Sequence, residues 1–358
     1  MSIVLDSFFD PSPVGHGGNR RSAQIVELLT RSQIPFTRFE RQLLTTGRDR
    51  VFAAIRALCN PKTVRFILKH QIELQPALKN LAFCGFQRQL YDQVLSQHTE
   101  SNLLLWEATK NYVAPYVAKD RNFKVIAVPQ NIEYFVPDAF PESLSTEIRA
   151  LVSADFVFCI SREEEWLLRL HGANAYYLPY YPPREIEQQL LNIRARRTPG
   201  DRFLILGSAS NPPTRQGIIE QIQWLKQIRP HLEFEVDIVG NKTESLKDYC
   251  DQTFTLHGTV SDEQLTALMT HAKTALIHQT ASSGALTRIP ELLMAGIPVI
   301  ANGNACRSAF SYAGVYCYDD EFELLDLFTQ SLNSPPSPPR PIAAEKRFID
   351  AVQHLSQA

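Results

Sequence analysis

The chain repeats one rhythm in two series: a short unbroken apolar run, a turn, then a segment with helical spacing. In the first series Ser2–Phe9, Asn102–Trp106, Lys124–Val128 and Ala154–Ile160 are the apolar runs. Continuous runs of this kind suit parallel strands covered on both faces, whereas a half-exposed sheet would alternate. Between them, Arg20–Thr30 places Ala23, Val26 and Leu29 on one side of a helix. Ser161-Arg-Glu-Glu164 is a capping box that opens a helix to about Leu170. The rhythm restarts at Phe203–Leu206 and continues through Phe234–Val239, Phe254–Leu256, Thr274–His278 and Pro298–Ala301, with Ser261-Asp-Glu-Gln264 capping a helix between two of these runs. Repeated β-then-α units require a parallel α/β sheet.

Two breaks divide the chain. Leu178–Gly200 holds Pro179, Pro182 and Pro183 and then a polar stretch ending in Pro199-Gly200, a linker signature. The second is dense in proline from Pro335 to Pro341, and Ala343–Gln357 beyond it reads as a helix. The expected architecture is therefore α/β with two Rossmann-like domains, 1–182 and 200–334, and residues 343–358 crossing back onto the first. A length of 358 residues fits two domains of ordinary size.

Composition excludes several function classes. A net charge of −2 argues against a nucleic-acid binder by bulk charge. No apolar run reaches the roughly 18 residues that a membrane span needs. Met1–Leu5 leads straight to Asp6 without a basic and then apolar leader, so no signal peptide is expected. The six cysteines are scattered without a C-x-x-C, which reads as reduced thiols of a cytoplasmic protein rather than a zinc cluster.

Two loops concentrate the chemistry. The first, Ser12 to Ser22 after the first strand, contains His16, Gly17, Gly18, Asn19, Arg20 and Arg21. A glycine loop opening a helix lets backbone approach a ligand, and the helix N-terminus favours an anion. The dinucleotide fingerprint fails, because its third glycine would fall on Arg20; a plain tight turn is the alternative. The second loop runs from Gln279 through Ser282, Ser283, Gly284 and Ala285 to Arg288, with a helix expected from about Thr287. Its amides, with Arg288, can hold phosphates. Glu291, one turn in, can accept two hydroxyl hydrogen bonds from a ribose diol. The alternative is an acid favoured by the helix dipole. Glu107 closes the strand Asn102–Trp106 at its carboxyl end, where open α/β sheets bind ligands; it is either a base or a structural hydrogen-bonding group. His16 is a base or phosphate contact. His278 ends a core strand and reads as packed there. Asp319-Asp320 reads as the cap of a helix over Glu321–Gln330.

The second loop resembles the donor-binding loop and helix of GT-B glycosyltransferases of the "group 1" type, whose pattern is E-G-F-G-x-x-x-x-E followed by A-x-G-x-P-V-I. Glu291 matches the second glutamate, and Met294-Ala-Gly296-Ile-Pro298-Val-Ile300 matches the tail. The first glutamate, which contacts the donor sugar in the family, falls on Ser283, where this sequence departs. Gly207-Ser208 through Arg215 to Ile218 is similar to the loop over the donor diphosphate, and His257-Gly258-Thr-Val-Ser-Asp262 to an element near the nucleotide base. Pro129-Gln130-Asn131-Ile-Glu133 resembles a p-H-N-x-E turn with Gln130 in place of histidine.

The resemblance implies two domains facing across a cleft, with a UDP- or GDP-sugar on the C-terminal side and an acceptor hydroxyl on the N-terminal side. Gly207, Ser208, Ser282–Ala285, Arg215 and Arg288 would meet the diphosphate. Gly17, Gly18 and Asn19 would line the donor, and His257 would stand near the base. Glu291 would hold the ribose, and His16 or Glu107 would serve the acceptor. No cofactor or metal is expected: no D-x-D occurs in the chain. The expected product is a glycan, polysaccharide or glycolipid. A nucleotide-sugar epimerase on the same fold, or a sugar-nucleotide binder without turnover, are the alternatives.

One stretch is strongly basic. Between Arg41 and Leu90 nine Lys/Arg face only Asp49 and Glu73, with Phe52, Ile55, Leu58, Phe66, Ile67 and Leu68 interleaved. Two readings stand: a solvated face over a core, or a surface that meets anionic lipid or an anionic acceptor at the inner face of a membrane.

Overall fold

The computed structural model describes residues 3–12, 15–39, 47–72, 77–108, 112–136, 143–281 and 283–357. Of the residues named above, Met1, Ser2, Arg41, Glu73 and Ser282 lie outside these. Among the described residues the strands are β1 (Ile3–Asp6), β2 (Phe36–Arg38), β3 (Leu103–Trp106), β4 (Lys124–Ala127), β5 (Phe156–Cys159), β6 (Ala175–Tyr177), β7 (Phe203–Leu206), β8 (Val236–Val239), β9 (Phe254–Gly258), β10 (Ala275–Ile277), β11 (Val299–Asn302) and β12 (Val315–Tyr318). The helices are α1 (Gly17–Arg31), α2 (Gly47–Leu58), α3 (Pro61–His70), α4 (Ala77–Gln97), α5 (Ala114–Asp120), α6 (Leu144–Val152), α7 (Arg162–Leu170), α8 (Arg184–Arg196), α9 (Pro212–Ile228), α10 (Asp262–His271), α11 (Arg288–Met294), α12 (Gly303–Cys306), α13 (Glu321–Thr329) and α14 (Ile342–Gln357).

The chain divides into two compact units, residues 1–179 with 341–358, and residues 180–340. Each holds one six-stranded sheet, ordered β2-β1-β3-β4-β5-β6 in the first and β12-β11-β10-β7-β8-β9 in the second. Every strand pair is parallel.

In the first unit, strand residues alternate between two cores. Ile3, Leu5, Leu103, Leu105, Ile126 and Phe158 face α1 and α14, while Val4, Leu104, Trp106, Val125 and Val157 join the core that contains residues of α4 to α7. Both faces being buried explains the continuous apolar runs. The last helix does cross back: Phe348, Val352 and Leu355 pack on the α1 face, and Glu345 pairs with Arg31 at 2.7 Å. In the second unit, Leu204, Ala275, Ile277, Val299 and Ala301 form one core with residues of α8, α10 and α11. Phe203, Ile205, Val236, Ile238 and Ile300 form the other with α9 and α13.

The division differs from the expected one in a single element. The polar stretch read as a linker folds as α8, inside the second unit. Ile186, Leu190 and Ile193 recur at helical spacing and are buried against α11. Arg194 fastens the helix by donating to the Leu293 and Met294 carbonyls at the C-terminus of α11 and to the Pro335 carbonyl.

Candidate functional site

Strand order reverses once in each sheet, between β1 and β3 in the first and between β7 and β10 in the second. At such a switch point the loops leaving the two strands part to opposite faces, and the crevice between them is where open α/β sheets bind ligands. The two loops singled out from the second half of the sequence, after β7 and after β10, flank the second reversal. Glu107 and the His16 loop flank the first.

At the second switch point the β7 loop begins with Gly207, whose amide donates to the Val239 carbonyl at 3.0 Å. A Cβ on Gly207 would stand 2.7 Å from Thr214 Cγ2 and 3.0 Å from Arg288 Nη1, so only glycine leaves room for the arginine. Arg288 reaches across from the start of α11 and donates to the Leu206 carbonyl at 3.0 Å. Burial lowers its pKa to about 10, which keeps the guanidinium cationic at neutral pH. The β10 loop is held from outside. Asn302 accepts from the Gln279 amide at 2.9 Å and donates to the Gln279 carbonyl at 3.0 Å. Arg307 donates to the carbonyls of Ser283 and Gly284 at 3.2 and 3.3 Å. Gly284 takes φ +80°, a conformation costly for any other residue at this turn. Buried polar atoms without a hydrogen-bond partner among the described residues gather here: Gln279 Oε1, Thr280 Oγ1 and Arg288 Nε. Buried polar groups are ordinarily paired with protein or ordered water, so these three atoms are open to a water or a polar ligand.

Glu291 lies one turn into α11, buried, with Oε1 accepting from the Tyr180 hydroxyl at 2.6 Å. Ser208 Oγ shares a hydrogen bond of 2.6 Å with Ser210. Ala285 is half-buried in the loop. Two further expected donor residues are engaged elsewhere: Arg215, in the first turn of α9 after the β7 loop, with an aromatic ring, and His257 with an acid. The Arg215 guanidinium lies over the Tyr249 ring, 5.8 Å from its centroid. His257 is on β9, the edge strand two positions from β7. Its Nε2 lies 2.7 Å from Asp237, which also takes Arg202 at 2.8 Å, so the imidazole is engaged in an ion cluster on the sheet. His278 is packed as expected, buried between Tyr318 at 2.9 Å and Glu220 at 3.3 Å. Asp320 caps α13 through the amides of Phe322 and Glu323.

At the first switch point Glu107 is a hub. Its carboxylate accepts from the Ser7 hydroxyl at 2.8 Å, the Phe8 amide at 3.0 Å and the Ser22 hydroxyl at 2.8 Å. Gln130 donates to the Gly18 carbonyl and the Ser22 hydroxyl, both at 3.3 Å, and so ties its turn to the same hub. Burial raises the Glu107 pKa, and the hydrogen bonds of Ser22, Ser7 and Phe8 oppose the rise. Arg21, on the adjacent turn of α1, is also fully buried; burial lowers it to about 10, and the Glu107 charge is the first influence holding it up. His16 is the N-cap of α1. Its Nδ1 accepts from the Gly18 amide at 3.0 Å, while Asn19 Oδ1 accepts from the His16 amide at 3.2 Å. That reciprocal cap puts the proton of the neutral ring on Nε2. Gly17, Gly18 and Asn19 are thus the first helical turn. A Cβ on Gly18 would meet the Phe9 ring at 2.6 Å.

Asn302, Arg307 and Tyr180 are the functional-site neighbours that sequence reasoning missed. Asn302 ends a strand beside Gly303, which was a usable signal; the other two carry none. Among the described residues no group of three His, Cys, Asp or Glu is placed to hold a metal ion.

No protein-family profile matches the sequence, and no curated protein matches it. Solved structures do match over nearly the whole chain. HepE of Anabaena, in complex with UDP, has a TM-score of 0.63 at 14% identity, covering 99% of both chains. An α,α-trehalose-6-phosphate synthase from Burkholderia multivorans has 0.63 at 10% identity, covering 99% of this chain and 93% of that one. A UDP-GlcNAc 2-epimerase from Methanocaldococcus jannaschii has 0.54 at 12%, covering 99% of both. Likeness at such identity is likeness of fold. The chain has the GT-B fold, as its motifs implied.

Proposed function

We propose that this protein is a glycosyltransferase that moves a sugar from a nucleoside-diphosphate sugar to an acceptor hydroxyl, without a metal. The observation that carries the reading is the cluster of unpartnered buried polar atoms on Gln279, Thr280 and Arg288 at the switch point of the second sheet. A half-buried arginine beside a glycine turn suits a diphosphate. Solved structures of the same fold bind UDP, which makes a UDP-sugar the first donor to try. In the transfer, the bond from the anomeric carbon to the diphosphate oxygen breaks and the bond to the acceptor oxygen forms. The acceptor's proton leaves to water or to the departing diphosphate oxygen, and the diphosphate carries away the electron pair of the broken bond as negative charge. Arg288 and the loop amides of Gly207, Ser208 and Ser283–Ala285 would stabilise that charge. Glu291, oriented by Tyr180, would bind the ribose. On the first unit Glu107 serves as a positioning residue, since donors already surround its carboxylate. His16 is exposed and keeps an Nε2 proton to offer to the acceptor's surroundings.

The test is calorimetric titration with UDP, GDP and uridine, followed by nucleotide release from UDP- and GDP-sugars with and without sugar acceptors. Diphosphates should bind more tightly than the nucleoside. Arg307→Ala should weaken UDP several-fold by releasing the loop carbonyls, with Arg307→Lys partly restoring it. Interconversion of the sugar without an acceptor would replace this reading by the epimerase one. Equal affinity for uridine and UDP would refute the diphosphate site.

A further inference from the structure

We propose that the solvent face of α2 and α3 docks onto an anionic lipid bilayer. The inference does not depend on the transferase reading. The sequence left two readings of the basic stretch, and the apolar side chains separate them. A core-covering face would bury its apolar residues. Phe66 is buried as that reading demands, but Phe52 is 68% exposed and Leu68 71% exposed. Val51 and Ile55 on α2 and Val64 on α3 are exposed with them. On α2 they fall at 51, 52 and 55, and on α3 at 64 and 68, one stripe per helix. The opposite sides are occupied: Ala57 of α2 is buried, and a Cβ added at Gly85 of α4 would lie 2.2 Å from its Cβ, while Phe66 and His70 of α3 turn inward, His70 stacking on Tyr116 of α5. The stripes are therefore surface by construction. Val64 and Leu68 share an open depression with Arg65 and Lys69.

Charge selects the partner. Residues 47–70 carry six Lys/Arg against Asp49 alone, on a chain of net charge −2. Arg48, Arg56, Lys62 and Arg65 are exposed beside the apolar stripes. A polyanion such as nucleic acid would match the cations and leave the large apolar side chains without a partner. A second copy meeting this face through a two-fold axis would oppose cation to cation. A bilayer with anionic headgroups accommodates both sets at once: phosphates meet the Lys and Arg, and the apolar side chains enter the boundary with the acyl chains. Among the described residues no helix is long and apolar enough to cross a membrane, so the contact is peripheral.

The experiment is cosedimentation of the full chain with vesicles of phosphatidylcholine alone and of phosphatidylcholine with phosphatidylglycerol, at low and high salt. Two double variants accompany it: Phe52→Gln with Leu68→Gln, and Arg56→Glu with Arg65→Glu. All four positions are solvent-exposed, and thermal melts confirm that the variants fold. The wild type should bind the anionic vesicles and not the neutral ones, and lose binding as salt shortens the screening length below about 10 Å. Each variant should bind at least about tenfold more weakly, since a removed cation is worth roughly fivefold, an apolar insertion at least as much, and each variant removes two. Absence of binding to anionic vesicles at low salt overturns the proposal. So does an apolar variant that binds like the wild type, which would leave only a screened basic surface. A concentration-dependent dimer abolished by the apolar variant would assign the face to self-association instead.

Discussion

Replacing Glu107 by alanine should destabilise the first unit severely, and the cause is electrostatic as much as hydrogen-bonded. The carboxylate receives two hydroxyls and one amide within 3.0 Å, and it is 1% exposed. Deleting it takes this acceptor from the buried Ser22 hydroxyl and from the half-buried Ser7 hydroxyl and Phe8 amide; a buried group left short costs about 1–3 kcal/mol, the half-buried ones less. It also removes the strongest opposing charge acting on the buried Arg21 cation, whose Nε and Nη2 have no hydrogen-bond partner among the described residues. The two side chains are not in contact, since Arg21 donates to Gln24 at 2.6 Å, so this loss falls below the roughly 3–5 kcal/mol of a broken buried pair. These effects overlap, so the expected total is about 4 kcal/mol. In a unit of this size that lowers the melting midpoint by about 10 °C. Scanning calorimetry should show the loss in one transition, with the second unit's transition unmoved. The decisive comparison adds Arg21→Met to Glu107→Ala. If the cost is an uncompensated cation, the double variant should recover about 1–3 kcal/mol of it. A Glu107→Ala protein within about 1 kcal/mol of wild type, or strictly additive losses in the double variant, would refute the reasoning.

Two further predictions follow from single contacts. Gly217 sits inside α9, where alanine would ordinarily stabilise by about 1 kcal/mol; here a Cβ would lie 2.2 Å from the His278 carbonyl oxygen, so Gly217→Ala should destabilise by about 1–3 kcal/mol in a denaturant titration. A stabilised variant would show that α9 does not ride on the end of β10. Glu147 is raised to about 7, by burial first, against the amides of Tyr134 and Glu133 that pull it down. Its native pKa lies above the unfolded value of 4.5, so the native state holds the extra proton between the two values. Its contribution to stability is therefore greatest below 4.5, falls as pH rises to about 7 and is constant beyond, a change on the order of 3 kcal/mol. Glu147→Gln should flatten that slope in melts taken across the interval, and an unchanged slope would remove Glu147 as its source.

The sequence displayed those strands that the fold buries on both faces. β1, β3, β4 and β5, and β7, β8, β10 and β11 in the second unit, each coincide with an apolar run because helices cover both sides; β9, an edge strand with Thr255 exposed, was signalled only by Phe254 and Leu256. Three edge strands, β2, β6 and β12, escaped notice for the converse reason. An edge strand pairs on one side only, and these three are short and partly exposed, so no periodic burial is imprinted on them. α8 was hidden by composition. The prolines flanking it and its own charges suggest a linker, yet three aliphatic residues at helical spacing suffice to seat it on α11. Leu68 beside Phe66 shows the same limit on the surface side. Two apolar residues in one helix give no sign of which meets the core when no acid marks the solvent face.

Site residues were legible to the extent that they follow a strand. Gly207 and Glu107 do so directly, Ser283 and Gly284 lie in the loop after β10 and Arg288 opens the helix behind it, and the reversal of strand order gathers them at two crevices. His257 also follows the pattern of a residue at a strand's carboxyl end, and it stands apart because β9 lies at the sheet's edge. Local sequence specifies that a strand ends; it does not specify which strands are neighbours, and neighbourhood decides whether an end is a site. The same reason hides Asn302 and Arg307, whose partners lie 23 and 24 residues away across β11. What they hold is backbone carbonyl and amide, which any residue supplies, so no complementary side chain in the sequence points back to them. A site built from loop backbone at a switch point therefore shows its ligand-facing residues in sequence and conceals the residues that fix its shape.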